Sequence, residues 1–107
     1  MSDAIDRLFL AAIAAKAAGP NSSRTAKLMH EGVLKMAKKV AEEAVEVALD
    51  TVGGDRRRII EESADLIYNL TVLWAETGIG PGEVWAEMER REKAYGIAEK
   101  LHKQPGK

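Results

Sequence analysis

No cysteine occurs in the chain, which excludes disulfides, thiolate metal sites and cysteine nucleophiles and fits a reducing compartment. An excess of charge of one sign is missing as well. Sixteen Lys and Arg stand against 17 Asp and Glu, for a net charge of -1. That balance argues against a general binder of nucleic acid or of membrane surfaces. No apolar run approaches the roughly 18 residues of a membrane span. Asp3, Asp6 and Arg7 interrupt the apolar N-terminus, so neither a signal peptide nor an anchor is expected, and the expected location is cytoplasmic. Strand-like alternation is nearly absent, and there is no Gly-rich phosphate loop of the Walker type and no long low-complexity stretch.

What remains is helical periodicity in one domain of 107 residues. The 46% apolar content suffices for a modest core, and helical chains of this size often complete their burial by dimerising. The first helix is expected over residues 3–18, capped by Ser2 or Asp3 and stopped by Gly19-Pro20. After the Asn21-Ser22-Ser23 loop, a short helix runs from Arg24 to Glu31 and ends at Gly32. A third spans Val33 to Val52, before Gly53-Gly54. Asp55 caps a fourth that reaches Thr77, and Pro81 opens a fifth that ends near Gly96. The polar tail over 97–107 is expected to fray. The fold class is all-α, about five helices, with a central antiparallel hairpin completing a four-helix-bundle-like core in a homodimer.

The charge pattern carries the chemistry. At about 100° per residue, the third helix gathers Lys39, Glu42, Glu43, Glu46 and Asp50 on one side. Val40, Ala41, Ala44, Val47 and Ala48 lie opposite. The fourth helix repeats the device with Arg58, Glu61, Glu62, Asp65 and Asn69. Two amphipathic helices showing water their charged sides would explain this much. Two features go further. Beyond its acidic stripe the fourth helix is apolar almost all the way round, so its acids look embedded. The stripes also register: in a hairpin about Gly53-Gly54, Glu46 faces Glu62, Glu43 faces Asp65, Lys39 faces Asn69 and Asp50 faces Arg58. Converging carboxylates raise one another's pKa and need cations to neutralise them. Oxygen ligands without His or Cys select Mg²⁺, Mn²⁺ or Ca²⁺, and phosphate chemistry favours Mg²⁺. A di-iron site typically takes two Glu-x-x-His motifs. The chain has one, Glu99 to His102, in the tail.

Glu43-x-x-Glu46, fifteen intervening residues and Glu62-x-x-Asp65 resemble the metal signature of the all-α NTP pyrophosphohydrolase superfamily. Within it, Lys38 through Val47 and Glu61 through Tyr68 are most similar to the phosphoribosyl-ATP pyrophosphohydrolases of histidine biosynthesis. Thr25-Ala26-Lys27-Leu28, Gly32 and Gly96 through Lys100 support the likeness, which spans residues 22–100. The resemblance implies that Glu43, Glu46, Glu62 and Asp65 hold Mg²⁺, with Mn²⁺ a substitute, and that phosphoribosyl-ATP is split into phosphoribosyl-AMP and pyrophosphate. It further implies a helical homodimer with active sites near the subunit interface, and a functional link to a phosphoribosyl-AMP cyclohydrolase. Arg24 stands where the family often has an aromatic, Ala41 where it usually has Gly, and Asn69 where it frequently has His.

On this reading Glu42 or Glu46 is the carboxylate that accepts a proton from the attacking water. Lys38 and Lys39, one turn before the acids, grip phosphates or balance charge through Lys38-Glu42 and Lys39-Glu43 pairs. Arg24 and Lys27 reach phosphate or ribose, or lie on the surface. Asn69 bonds the substrate or is satisfied within the bundle. Trp74 and Trp85 read as core or dimer contacts, and Arg56-Arg57-Arg58 as a solvated helix start. Two other functions stay open: a broader nucleotide pyrophosphatase, and a non-enzymatic dimeric scaffold whose acids are indifferent to Mg²⁺.

Overall fold

A computed structural model describes residues 3–95. It contains five helices: α1 (Ala4–Ala17), α2 (Arg24–His30), α3 (Val33–Gly53), α4 (Arg56–Thr77) and α5 (Pro81–Tyr95). The expected end of α5 at Gly96, the frayed tail and the Glu99/His102 pair lie outside the described residues. Short polar side chains start α1, α2 and α4. Asp3 accepts from the Asp6 amide at 2.9 Å, Ser23 from Ala26 at 3.0 Å and Asp55 from Arg58 at 3.2 Å, each satisfying an amide with no partner inside its helix. Gly54, at φ 77, ends α3 and returns its N–H to the Asp50 and Thr51 carbonyls. Only a residue without a Cβ adopts that left-handed conformation cheaply. The sequence-derived boundaries hold to within a residue from the start of α1 to the start of α5.

The dominant packing is the antiparallel hairpin of α3 and α4, with α1 laid mainly on α4 and α2 joined to α1, α3 and α4. The core gathers at the open end of the hairpin, away from its turn. Ala12, Leu28, Met29, Met36, Val72 and Ala75 are buried there, with Phe9, Tyr68 and Leu73 packed against them. Trp74 and Trp85 meet edge to face, with ring centroids 6.1 Å apart, a geometry aromatic pairs favour and one that ties α5 to α4. Among the described residues no helix is long and apolar enough to cross a membrane.

The half of the hairpin nearest the turn is covered on neither outer face. Val45, Leu49 and Val52 of α3 and Ile60 and Ile67 of α4 are exposed, as is Leu34 at the start of α3. This corrects the expectation that α4 is buried everywhere outside its acidic stripe: Ile60, Ala64 and Ile67 face solvent in the single chain. Further along α4, where the core is packed, Val72 is fully buried and so is Thr71, whose hydroxyl donates to the Ile67 carbonyl at 2.7 Å.

Met36 is fully buried where α3 enters the core. Met36→Ala is expected to lower the unfolding free energy by about 2–5 kcal/mol, and Gly54→Ala by about 1 kcal/mol through its positive φ. Urea titrations of both variants check this ordering.

Candidate active site

Because α3 and α4 cross with a regular seam, one residue per turn of α3 is turned toward α4, and this set includes carboxylates. Glu43 is half-buried on that edge, and so is Asp50 two turns further on. Across the seam lie half-buried Glu62 and exposed Asp65. One carboxylate oxygen each from Glu43, Glu62 and Asp65 falls within 4.8 Å of the others. The Glu43 Oε2 atom is buried and has no hydrogen-bond partner. Acids this close cannot all stay ionised at little cost. The Glu62 carboxyl is accordingly held above its usual range, first by a hydrogen bond with Glu43, then by burial, then by the charges of Glu43, Asp65 and Asp50.

One cation relieves the cluster on the side of the turn. Arg58 donates its Nε to Asp50 Oδ1 at 3.1 Å, and its guanidinium is pushed above its ordinary value by that bond and by the charges of Asp50, Glu62 and Asp55. The other Asp50 oxygen, Oδ2, is buried without a partner. Three clustered carboxylates, an orphaned buried oxygen and no sulfur or imidazole ligand form the donor set of a hard divalent cation. Glu43, Glu62 and Asp65 thus fit Mg²⁺ or Mn²⁺.

The cluster opens onto a cleft of about 360 Å³ between α2, α3 and α4. From α2 and its C-cap come Arg24, Lys27, Leu28 and Glu31, from α3 Lys35, Lys39 and Glu43, and from α4 Asp65, Tyr68 and Asn69. Charge is segregated along it. The carboxylates mark one end, while Lys39 and Lys35 step away from Glu43 one helical turn at a time toward the corner between α2 and α3. Tyr68 pins the short helix in place, its hydroxyl 2.6 Å from Thr25 Oγ1. Asn69, only 7% exposed, donates its Nδ2 to the Asp65 carbonyl at 2.8 Å.

The structure brings Glu43, Glu62 and Asp65 together, and it places Lys39, Asn69, Arg24 and Lys27 around the same cleft. Glu42, Glu46 and Lys38 are exposed and outside both groups. Helical geometry separates these three: Glu46 lies about 60° from Glu43 on the flank shared with Lys39, whereas Glu42 and Lys38 turn about 100° and 140° away. The expected register appears in the Asp50–Arg58 pair and in Glu43 beside Asp65. The Glu62 carboxyl, however, turns to Glu43. Sequence reasoning passed over Lys35, Glu31 and Leu28 as cleft residues and left Tyr68 without a role. Lys35 was detectable, since positions 35, 39 and 43 form one ridge of α3. Glu31 was not, because it lies in the corner before α3, where no periodicity reaches. Arg56 and Arg57 lie outside the cleft, and Arg57 forms an exposed pair with Glu61 at 3.3 Å.

Comparison with known proteins adds independent information. The family described as phosphoribosyl-ATP pyrophosphohydrolase matches residues 7–92. Phosphoribosyl-ATP pyrophosphatase 2 of Rhodopseudomonas palustris is 59% identical over 103 residues, covering 96% of this chain and 79% of that protein. The phosphoribosyl-ATP pyrophosphatase of Azospirillum brasilense is 50% identical over 96 residues, covering 90% of this chain and 86% of its own. The same-named protein of Rhizorhabdus wittichii is 42% identical over 106 residues, 99% of this chain and all of its own. With its residues 7–92 matched and its helices and acids arranged as described, the chain belongs to the phosphoribosyl-ATP pyrophosphohydrolase family.

Proposed function

We propose that the protein hydrolyses phosphoribosyl-ATP to phosphoribosyl-AMP and pyrophosphate, a step of histidine biosynthesis, with Mg²⁺ as its cofactor and Mn²⁺ as a substitute. The observation that carries this reading is the trio of Glu43, Glu62 and Asp65, with its orphaned buried oxygen, at the acidic end of a basic cleft. On this reading these three residues hold the metal, and Glu46, one turn beyond Glu43 and exposed, is the fourth carboxylate it calls on. When bound, the metal neutralises phosphoryl oxygens and lowers the pKa of water. The barrier to phosphoryl transfer is dominated by charge on those oxygens, so positioned cations matter as much. Lys39 stands one turn from Glu43 to meet the phosphate chain, and Arg24 and Lys27 line the cleft from α2 for the rest of the substrate. A carboxylate left free of coordination, Glu46 before Glu42 by its position, takes the proton from the attacking water. The phosphoribosyl-AMP released is the substrate of a cyclohydrolase, the functional partner this reading implies.

The working unit we propose is a homodimer. Leu34, Val45, Leu49 and Val52 form an exposed apolar stripe on the side of α3 away from Glu43, and Ile60 and Ile67 extend it onto α4. Val52 is 88% exposed and Leu34 85%. A single chain of this size gains much by covering such a face. Two hairpins packed through it make a four-helix core and bring the outer faces of two active sites toward one interface.

Pyrophosphate release from phosphoribosyl-ATP is expected to require Mg²⁺ and to fall at least 100-fold in Glu43→Gln, as it does when a group acting in the transition state is lost. Cleavage of other nucleotides alone would retain the site and discard the pathway. Absence of release from any nucleotide would favour a scaffold.

The raised Glu62 carboxyl gives a second expectation. In the folded, metal-free protein it keeps its proton at pH values where the unfolded chain has lost it. Its contribution to stability is therefore full below the ordinary carboxylate pKa and is lost as pH rises through the raised value. Glu62→Gln, free of that repulsion, is expected to melt above the wild type at pH 7.5 without metal, and the difference is expected to close as the pH falls. Mg²⁺ reverses the order by binding the wild type better. Differential scanning calorimetry across pH, with Mg²⁺ and with chelator, measures both effects. Sedimentation velocity tests the dimer: Leu49→Lys is expected to sediment as a monomer while the wild type sediments as a dimer.

A further inference from the structure

The cleft continues past the residues that a triphosphate needs. Lys35 lies eight positions before Glu43 on the same ridge of α3, about 12 Å along the helix axis, with Lys39 midway. Lys27, one turn before Glu31 on α2, lines the cleft with it. A phosphate chain anchored at Glu43, Glu62 and Asp65 meets Lys39 first, which leaves the cations at the far end for something else. Glu31 is, among the described residues, the one acid of the cleft outside the carboxylate end, against Lys35, Lys27 and Arg24. Among the described residues Lys35 has no ion pair at 4.0 Å or less, and neither has Lys27.

Phosphoribosyl-ATP carries two anionic groups. Besides the triphosphate, a second ribose on the far side of the adenine bears a 5′-phosphate. ATP and the other common nucleoside triphosphates have only the first. An enzyme that separates them reads the added phosphoribosyl group, and the 5′-phosphate is its charged part, distant from the metal. We propose that Lys35, assisted by Lys27, is the specificity determinant that binds this distal 5′-phosphate, with the carboxylate of Glu31 beside them as an acceptor for a ribose hydroxyl. This assignment rests on the pyrophosphohydrolase reading above and adds to it the group by which the substrate is chosen. The contact is a charge-assisted hydrogen bond at a solvent-accessible end of the cleft. It is made equally in the ground state and in the transition state, so it acts on KM and leaves kcat in place.

The test compares steady-state kinetics with phosphoribosyl-ATP for the wild type, Lys35→Ala and Lys35→Arg at two salt concentrations, with Mg²⁺ saturating. The expected result is a KM about tenfold higher in Lys35→Ala at unchanged kcat, recovery of most of the loss in Lys35→Arg, and a weaker salt dependence of KM in the Ala variant than in the wild type. A merely structural role would lower kcat or the fraction folded and would leave the salt dependence alone. If the wild type turns over phosphoribosyl-ATP and Lys35→Ala has the same KM, the assignment of Lys35 is overturned while the reaction stands. A kcat loss without a KM change overturns it equally. If the wild type does not turn over phosphoribosyl-ATP, the reading of the reaction falls and this inference falls with it.

Discussion

Repulsion between carboxylates across the α3–α4 seam is the constraint on which the rest of the molecule depends. A hairpin of two amphipathic helices would ordinarily close on apolar side chains at every level. Here the level of Glu43, Glu62 and Asp65 is given to acids, and the Glu62 carboxyl keeps its proton more tightly than usual as a result. Such a level opposes folding unless a cation arrives. A protein retains such a cost where the site serves a purpose.

Several other features follow from keeping that level open. The apolar core is displaced to the far end of the hairpin, around Met36, Val72 and Ala75, where α1 and α2 can cover it. Near the turn, Arg58 holds Asp50 at 3.1 Å, which partly offsets the charge that Asp50 adds to the repulsion on Glu62. Toward the cleft, the short helix α2 stands over the seam, joined to α4 by the hydroxyls of Thr25 and Tyr68. It brings cations to the edge of the acidic site without neutralising it. The clustered carboxylates, the cleft lysines Lys35 and Lys39 and the core residues Met36 and Val72 thus all stand on the two long helices, and a rigid scaffold positions the site.

Much of this was legible in the residues. Gly, Pro and short capping side chains punctuate the chain so regularly that every helix start, and every helix end from α1 to α4, falls within a residue of where local chemistry puts it. The pairing of Asp50 with Arg58 was readable because a two-glycine turn leaves an antiparallel hairpin a narrow choice of register. The choice among neighbouring acids was harder. Glu42, Glu43 and Glu46 share one broad stripe on a helical wheel, yet only Glu43 stands on the seam, since the 100° between successive residues separates a seam position from an exposed flank. The corner between α2 and α3 was illegible for a different reason: Glu31 reaches the cleft through the chain reversal at Gly32, whose φ of 98 is a tertiary feature. Exposure of Ile60, Ala64 and Ile67 also escaped a reading of α4 by itself, because an apolar face looks the same whether it meets the chain's own core or a second copy.

Titration of Mn²⁺ into the metal-free protein, followed by calorimetry in two buffers of different ionisation enthalpy, tests the central claim most directly. Coordination requires deprotonated carboxylates. The account predicts saturable binding accompanied by proton release that grows as the pH is lowered toward the raised carboxyl of Glu62, with binding and release both lost in Glu43→Gln. Binding that is unchanged in that variant, or that proceeds without proton release at any pH, would contradict it.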